Sequence, residues 1–289
     1  MAFNNHIIDI ILQLKKVGFL KNIKSVIDMG DQDLNLKYKD LKKIINIEEN
    51  KFDELFFRAK DFPERPRVSS SAFWQSLGIM NTSRIDLFQL SRKRDVPHNF
   101  YKVDLNFPLE DQAKIEPHDL STDIGNNEHP FNVSETYKTM HKLTKKGGYL
   151  LIQQSMFRGN GLYSFEPGYF ECLAAVNNYS ILFSSFCISY KDKHFYMPLS
   201  KEMLNAIDLN NTGDLQLIYL FRKNADGEFI YPYQGIGQSP HYEEFYFSKI
   251  LNQNFFPERN YIPQKIDNLS FKLLLKYIFY KIKSKFLKN

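Results

Sequence analysis

The sequence predicts an α/β fold built on a mostly parallel sheet. Three observations point to it. Short apolar strand candidates alternate with helical periodicities along much of the chain. Glycine or proline stands at many of the junctions between them. The last two strand candidates are joined by a long polar segment with no convincing crossover, which implies an antiparallel ending.

Residues 6–22 read as an amphipathic helix, with Ile7, Ile8, Ile11, Leu12 and Leu14 at helical spacing. SVIDM at 25–29 is a short strand ending at Gly30. Residues 34–62 are mixed and charged, with helix expected in LKKIINI and ENKFDELFFRAK. FPERPR interrupts regular structure, because proline cannot continue a helix. Ser69, Ser70 or Ser71 can N-cap a helix through SAFWQSL, which stops at Gly78. SRIDLFQL at 83–90 is the second strand; YKVDLNFPL is the third, with Asp104 near its end; HDLSTD is the fourth. Pro130 stands at the first-turn position that proline favours, and a helix follows to about Lys142. Lys145 and Lys146 suit its negative end. Gly147 and Gly148 turn the chain into GYLLIQQ. Pro167 opens a helix through YFECLAAVNN, and strands at 179–189 and 215–222 follow. This order divides the chain into an N-terminal helix (1–22), a domain (23–225), an irregular extension (226–264) and a C-terminal helix (265–289).

With 43% hydrophobic and 15% aromatic residues, the 289-residue chain can bury a large core, so global disorder is excluded. A net charge of +5 permits an anionic partner without demanding one. Cys172 and Cys187 each stand among apolar residues, and no CxxC or Cys/His metal spacing exists. Buried structural thiols in a reducing, cytoplasmic setting are expected. The N-terminus carries neither a basic n-region nor a small-residue cleavage site, so no secretory signal is expected. No apolar run approaches the roughly 20 residues of a membrane span. In 265–289, Phe271, Leu275, Ile278, Ile282 and Phe286 form an apolar stripe flanked by lysines. Such a helix suits peripheral contact with an anionic membrane, or packing on the domain or a partner.

The segment from His118 to Gln154 carries most of the chemistry. Beyond its first strand stand Asp123, Asn126, Asn127, Glu128 and His129, and ligands of open α/β sheets bind beyond the carboxyl ends of the strands. His129 is the expected general base, since imidazole titrates near neutral pH, with Glu128 or Asp123 to orient it or the substrate. The bland alternatives are a turn or cap for Asp123, helix-dipole compensation for Glu128 and a structural histidine at 129. His141 reads as core or capping. Arg158 and Tyr163 stand in a glycine-containing loop that can close over a substrate.

The first strand-turn, VIDMGDQDL, has Gly30, but the second glycine position of a dinucleotide fingerprint carries Gln32, flanked by Asp31 and Asp33. Two carboxylates repel a pyrophosphate, which disfavours NAD, FAD and ATP. S-adenosylmethionine (SAM) has no phosphate and a cationic sulfonium and ammonium, and remains acceptable.

With these motifs, residues 20–222 resemble the class I SAM-dependent methyltransferases. The resemblance implies a Rossmann-like fold: a seven-stranded, mostly parallel sheet with an antiparallel last strand and helices on both faces. Asp28-x-Gly30 matches the first motif, with Gln32 departing from it. Asp86 in RIDLF matches the acid that holds the ribose hydroxyls, and Asp104 in VDLN the acid facing the adenine amino group. HDLSTD and LTKKGGYLLI match the fourth strand and the turn into the fifth. As residues in their own right, Asp28 can also N-cap, Asp86 can end its strand as a turn residue, and Asp104 can form an Asx-turn with Asn106. NNEHPFNVSETYKTMHKLTKKGG and PGYFECLAAVNNY resemble a bacterial subgroup associated with surface-polysaccharide biosynthesis. The implied activity is methyl transfer to a hydroxyl or amine of a small-molecule or carbohydrate-like acceptor, and nothing in the spacing requires a metal. Two alternatives stand beside it. One is a non-catalytic SAM-fold scaffold at the membrane surface. The other is a nucleic-acid methyltransferase, which is not expected because IGNNEHP is not the N/D-P-P-Y loop that stacks a flipped base.

Overall fold

The fold was determined as a computed structural model, which describes residues 2–35, 68–90, 96–190, 193–207, 209, 213–233 and 240–242. The helices expected in 34–62 and the C-terminal helix at 265–289 lie outside the described residues.

The chain opens with β1 (Ala2–Phe3), α1 (Asn5–Lys16) and a 3-10 turn (Phe19–Asn22), then β2 (Ser25–Met29) and β3 (Asp33–Leu34). The described chain resumes with β4 (Val68–Ser69), α2 (Ser70–Ser76), β5 (Asn81–Asp86), β6 (Asn99–Lys102) and β7 (His118–Ile124). There follow α3 (Val133–Lys142), β8 (Thr144–Phe157), α4 (Pro167–Val176), β9 (Tyr179–Tyr190), β10 (Lys193–Met197), α5 (Lys201–Ala206), β11 (Leu215–Lys223) and β12 (His241–Tyr242).

The main sheet runs β10-β9-β11-β8-β7-β2-β5-β6, with β12 added beside β9. Strands β6, β5, β2, β7 and β8 are mutually parallel; β11 runs antiparallel to both β8 and β9. This is the expected mostly parallel sheet with its last long strand reversed. The expected seven strands are extended by β10 and β12 on the β9 side. A separate small sheet, β1-β3-β4, brings the N-terminus against the loop after β2.

The sheet is covered on both faces. Val26, Leu120, Leu151, Ile218 and Leu220 pack with Ile7, Ile11 and Leu14 of α1 and Phe73 and Trp74 of α2. Ile27, Met29, Leu150, Ile152 and Tyr219 pack with Tyr137 and Met140 of α3 and Phe170 and Leu173 of α4. The alternation of Val26 and Ile27, or Leu151 and Ile152, between faces follows from the two-residue period of a strand. β2 is buried along its whole length, as suits an interior strand of a parallel sheet covered on both faces.

Several boundaries differ from expectation for identifiable reasons. The first helix ends at Lys16, where Gly18 takes φ 81 and a 3-10 turn replaces the helix. Ser69 is the N-cap of α2, its hydroxyl accepting from the Ala72 amide, and Gly78 ends the turn at φ 93. The strand expected at 83–90 occupies Asn81–Asp86, and the one expected in YKVDLNFPL ends at Lys102, because Asp104 turns the chain. Pro130 lies before α3, not within its first turn. Asn132 is the N-cap, its side chain accepting from the Glu135 amide. Gly147 and Gly148 lie within β8 as a bulge: the register with β7 shifts between His118 and Leu120, and Gly147 takes φ 75. Pro167 is the first residue of α4, where its missing N–H costs nothing. Cys187 is buried, whereas Cys172 is half-buried.

Candidate active site

Parallel strands bring their carboxyl ends to one edge, so the turns after β2, β5, β6, β7 and β8 share it. These strand ends and the turns beyond them carry Asp28, Gly30, Gln32, Asp86, Asp104, Asp123, Glu128 and His129, in two groups on either side of the β7 loop.

On the β2–β5–β6 side, Asp28 is wholly buried. Register across β5, β2 and β7 aligns Arg84, Asp28 and Thr122. Asp28 Oδ1 accepts from Trp74 Nε1 at 3.1 Å and Thr122 Oγ1 at 2.5 Å. Burial pushes its carboxyl above the ordinary range. The Asp28 side chain therefore props the turn from beneath and does not open onto the edge. A buried indole N–H needs a partner, and Asp28 is that partner for Trp74.

Gly30 is required twice over. It takes φ 92, and a Cβ there would lie 2.6 Å from Asn126 Oδ1. The rest of the turn is filled by its own side chains. Gln32 is fully buried, its amide donating to the carbonyls of Met29 (2.9 Å) and Ile124 (3.2 Å). Asp31 pairs with Arg84 at 2.6 Å and accepts from the Leu90 amide at 2.7 Å. Asp86 Oδ2 accepts from the Asp31 amide at 2.8 Å, and Oδ1 from Phe88 at 3.3 Å. Asp104 Oδ1 accepts from both the backbone and the side-chain amide of Asn106, forming the Asx-turn. Asn106 in turn holds Asn132, joining this loop to the start of α3.

On the β7–β8–β11 side lies an open polar cleft of about 580 Å³. Glu128 and His129 line it with Gln153, Ser155, Arg158, Asp214 and Gln216, and Asn4 and Asn35 close one wall. His129 Nε2 stands 3.8 Å from Glu128 Oε1, too far for a hydrogen bond but close enough for an ion pair when the imidazole is protonated. Glu128 Oε2 accepts from the Ser155 amide at 3.0 Å. Burial raises the Glu128 carboxyl above its ordinary value.

The segment after β8 clamps Glu128. Leu162 and Tyr163 amides donate to its carbonyl at 2.7 and 3.2 Å. A Cβ on Gly161 would meet Glu128 Cγ at 2.6 Å, and one on Gly159 would meet Ser155 at 2.4 Å. Tyr163 donates to the Phe131 carbonyl and so ties the loops together, while Arg158, at φ 60, faces the cleft.

Asp123 does not reach the cleft. It is fully buried, its Oδ1 accepting from the amides of Asn126 and Asn127 and its Oδ2 from Gln154 and Tyr137. Burial pushes its carboxyl to about 7, opposed by these donors. The expected role beside His129 is thus replaced by one in shaping the loop that carries Glu128 and His129. His141 belongs to the core, its ring nitrogens meeting Tyr179 Oη at 2.5 Å and the Gly227 carbonyl at 3.1 Å.

Sequence reading missed Ser155, Gln153, Gln216 and Asp214. The polar run Gln153–Gln154–Ser155 closing an apolar strand was the available signal for two of them. Asp214 has no local signal.

No protein-family model matches the chain, and no curated protein matches it. Solved structures do. One is the 1,6-didemethyltoxoflavin-N1-methyltransferase of Burkholderia thailandensis, crystallised with 1,6-didemethyltoxoflavin and S-adenosylhomocysteine. It is 12% identical over 75% of this chain and 77% of that chain, with TM-score 0.41. Another is the N-methyltransferase NodS of Bradyrhizobium japonicum, in complex with S-adenosylhomocysteine: 12% identical over 76% of this chain and 86% of that chain, TM-score 0.41.

Proposed function

We propose that the protein is a SAM-dependent methyltransferase acting on a hydroxyl or amine of a small polar acceptor. The observation that carries this reading is the division of one sheet edge by the β7 loop. Gly30, Asp86 and Asp104 stand on one side; the Glu128–His129 cleft stands on the other.

The adenosine half of the cofactor fits the first side. Asp86 is half-buried and uses one lone pair on each oxygen, which leaves capacity for ribose hydroxyls. Phe88, Phe107 and Phe131 are exposed along this edge, at 72, 60 and 79%, and offer ring faces to a base. The methionine half meets Gln32, whose side chain must leave its two carbonyl partners. The bound cofactor supplies an electrophilic methyl group. The chain's own part is to seat the acceptor in the cleft, to take its proton on His129 and to keep the resulting imidazolium beside Glu128.

A glycan acceptor of surface-polysaccharide type, and peripheral membrane contact through 265–289, extend this reading on the strength of the sequence. Among the described residues no helix is long and apolar enough to cross a membrane. Co-sedimentation with anionic liposomes, with and without 265–289, tests that contact.

The filled turn favours a second reading, a methyltransferase fold without turnover. Calorimetry separates the two. Wild type should bind SAM or S-adenosylhomocysteine, Asp86→Ala should weaken binding, and Gln32→Gly should strengthen it. No binding by wild type or by Gln32→Gly sinks the methyltransferase reading. Binding without turnover on any acceptor supports the second.

A further inference from the structure

Behind the wall of the cleft, three metal-ligating side chains converge from distant parts of the chain. His6 in the first turn of α1, Cys187 on β9 and His194 on β10 each bring a ligand atom within 4.8 Å of the others. Cys187 pairs with Tyr196 across the β9–β10 hairpin, and His194, two residues before Tyr196, shares its face. The Tyr196 hydroxyl donates to the His6 carbonyl and fixes α1 over that face. His6 is 2% exposed, and neither ring nitrogen makes a hydrogen bond of good geometry, although the Gln153 and Gln216 side chains lie beside it. A buried polar group in that condition calls for an explanation. His194 Nδ1 lies 3.1 Å from Ser189 Oγ, which leaves Nε2 for another partner.

We propose that His6, Cys187 and His194 form a zinc site that fastens the first turn of α1 to the β9–β10 hairpin. Two imidazoles and a thiolate are the donors a borderline-soft, d¹⁰ cation takes; calcium and magnesium prefer oxygen. Ligand atoms of a tetrahedral zinc site stand about 3.5 Å apart, so side-chain adjustments of about 1 Å close this cluster. Binding replaces the thiol S–H bond by a sulfur–zinc bond, and the proton passes to solvent. The three protein ligands leave a fourth position for water. Gln153 and Gln216 face His6 and also line the cleft, so the site supports the cleft from behind.

The test uses the full chain, reduced and stripped of metal, titrated with zinc against a chromophoric chelator and separately with cobalt(II). One zinc per chain is expected, with a sulfur-to-cobalt charge-transfer band in the near ultraviolet. His194→Gln, at a half-buried position, should weaken zinc binding by at least about tenfold. Cys187→Ala should abolish the charge-transfer band. A folded wild-type chain that takes up no stoichiometric zinc overturns the proposal, as does a His194→Gln variant with wild-type affinity. If Cys187→Ala fails to fold, the native cobalt spectrum decides: a spectrum without a sulfur band also overturns it.

Discussion

Arg84 Nη1 lies 2.6 Å from Asp31 Oδ1, and both side chains are sealed from solvent. The pair joins the end of β5 to the turn after β2. Truncating one partner of such a pair leaves the other's charge in a buried site, at a cost of about 3–5 kcal/mol. Arg84→Met should therefore lower the denaturant midpoint strongly in chemical unfolding. A change under about 1 kcal/mol would mean that water or a shifted loop solvates Asp31.

Asp123 makes stability depend on pH. Its folded-state pKa, about 7, stands above the ordinary 3.8, so folding takes up a proton. The contribution is fully present below the unfolded value and is lost as pH rises through about 7. Urea midpoints of wild type should fall between about pH 4 and 7, and Asp123→Asn should flatten that slope. Parallel pH profiles for the two proteins would refute this assignment.

His129→Ala should reduce turnover by about 10²–10⁴-fold while leaving SAM affinity unchanged, as loss of a general base does. Glu128→Gln should reduce turnover less, because its carboxylate supports the imidazolium without taking the proton. Single-turnover rates measured beside calorimetry separate these effects. Equal loss of affinity and rate would return both residues to a structural role.

Gly161→Ala forces a methyl group against Glu128 Cγ and its carbonyl, at 2.6 and 2.7 Å. Displacing that contact should cost about 1–3 kcal/mol in thermal or chemical unfolding. Gly168→Ala is the control, because a Cβ there meets nothing within 4 Å.

Much of the architecture was legible because it rests on local periodicity. β2 matches SVIDM residue for residue, and α4 begins at its proline. Boundaries failed where a short-range polar contact overrode the apolar run. Asp104 ends β6 early, and Asn132, two residues after Pro130, captures the start of α3. β10 was hidden in a polar segment, and only its pairing with β9 makes it a strand. Glu128 and His129 follow a strand in the sequence, and there they line the cleft. Asp123 was misread because sequence gives its proximity to the loop but not its direction. It faces Tyr137 on the α3 side, beneath the loop. His6, Cys187 and His194 fit no spacing motif, since three separate elements bring them together.

Gln32 has a further consequence for any ligand of the β2 turn. Its amide already occupies the Met29 and Ile124 carbonyls, so for a ligand that needs those carbonyls the side chain would act as a tethered competitor present at unit stoichiometry. Measured affinity then equals the intrinsic affinity multiplied by the fraction of molecules in which the turn is vacated. A turn open in about 1% of molecules weakens binding about a hundredfold. One residue thereby scales the ligand concentration at which the protein begins to respond, by a factor that multiplies whatever affinity the ligand's own contacts supply.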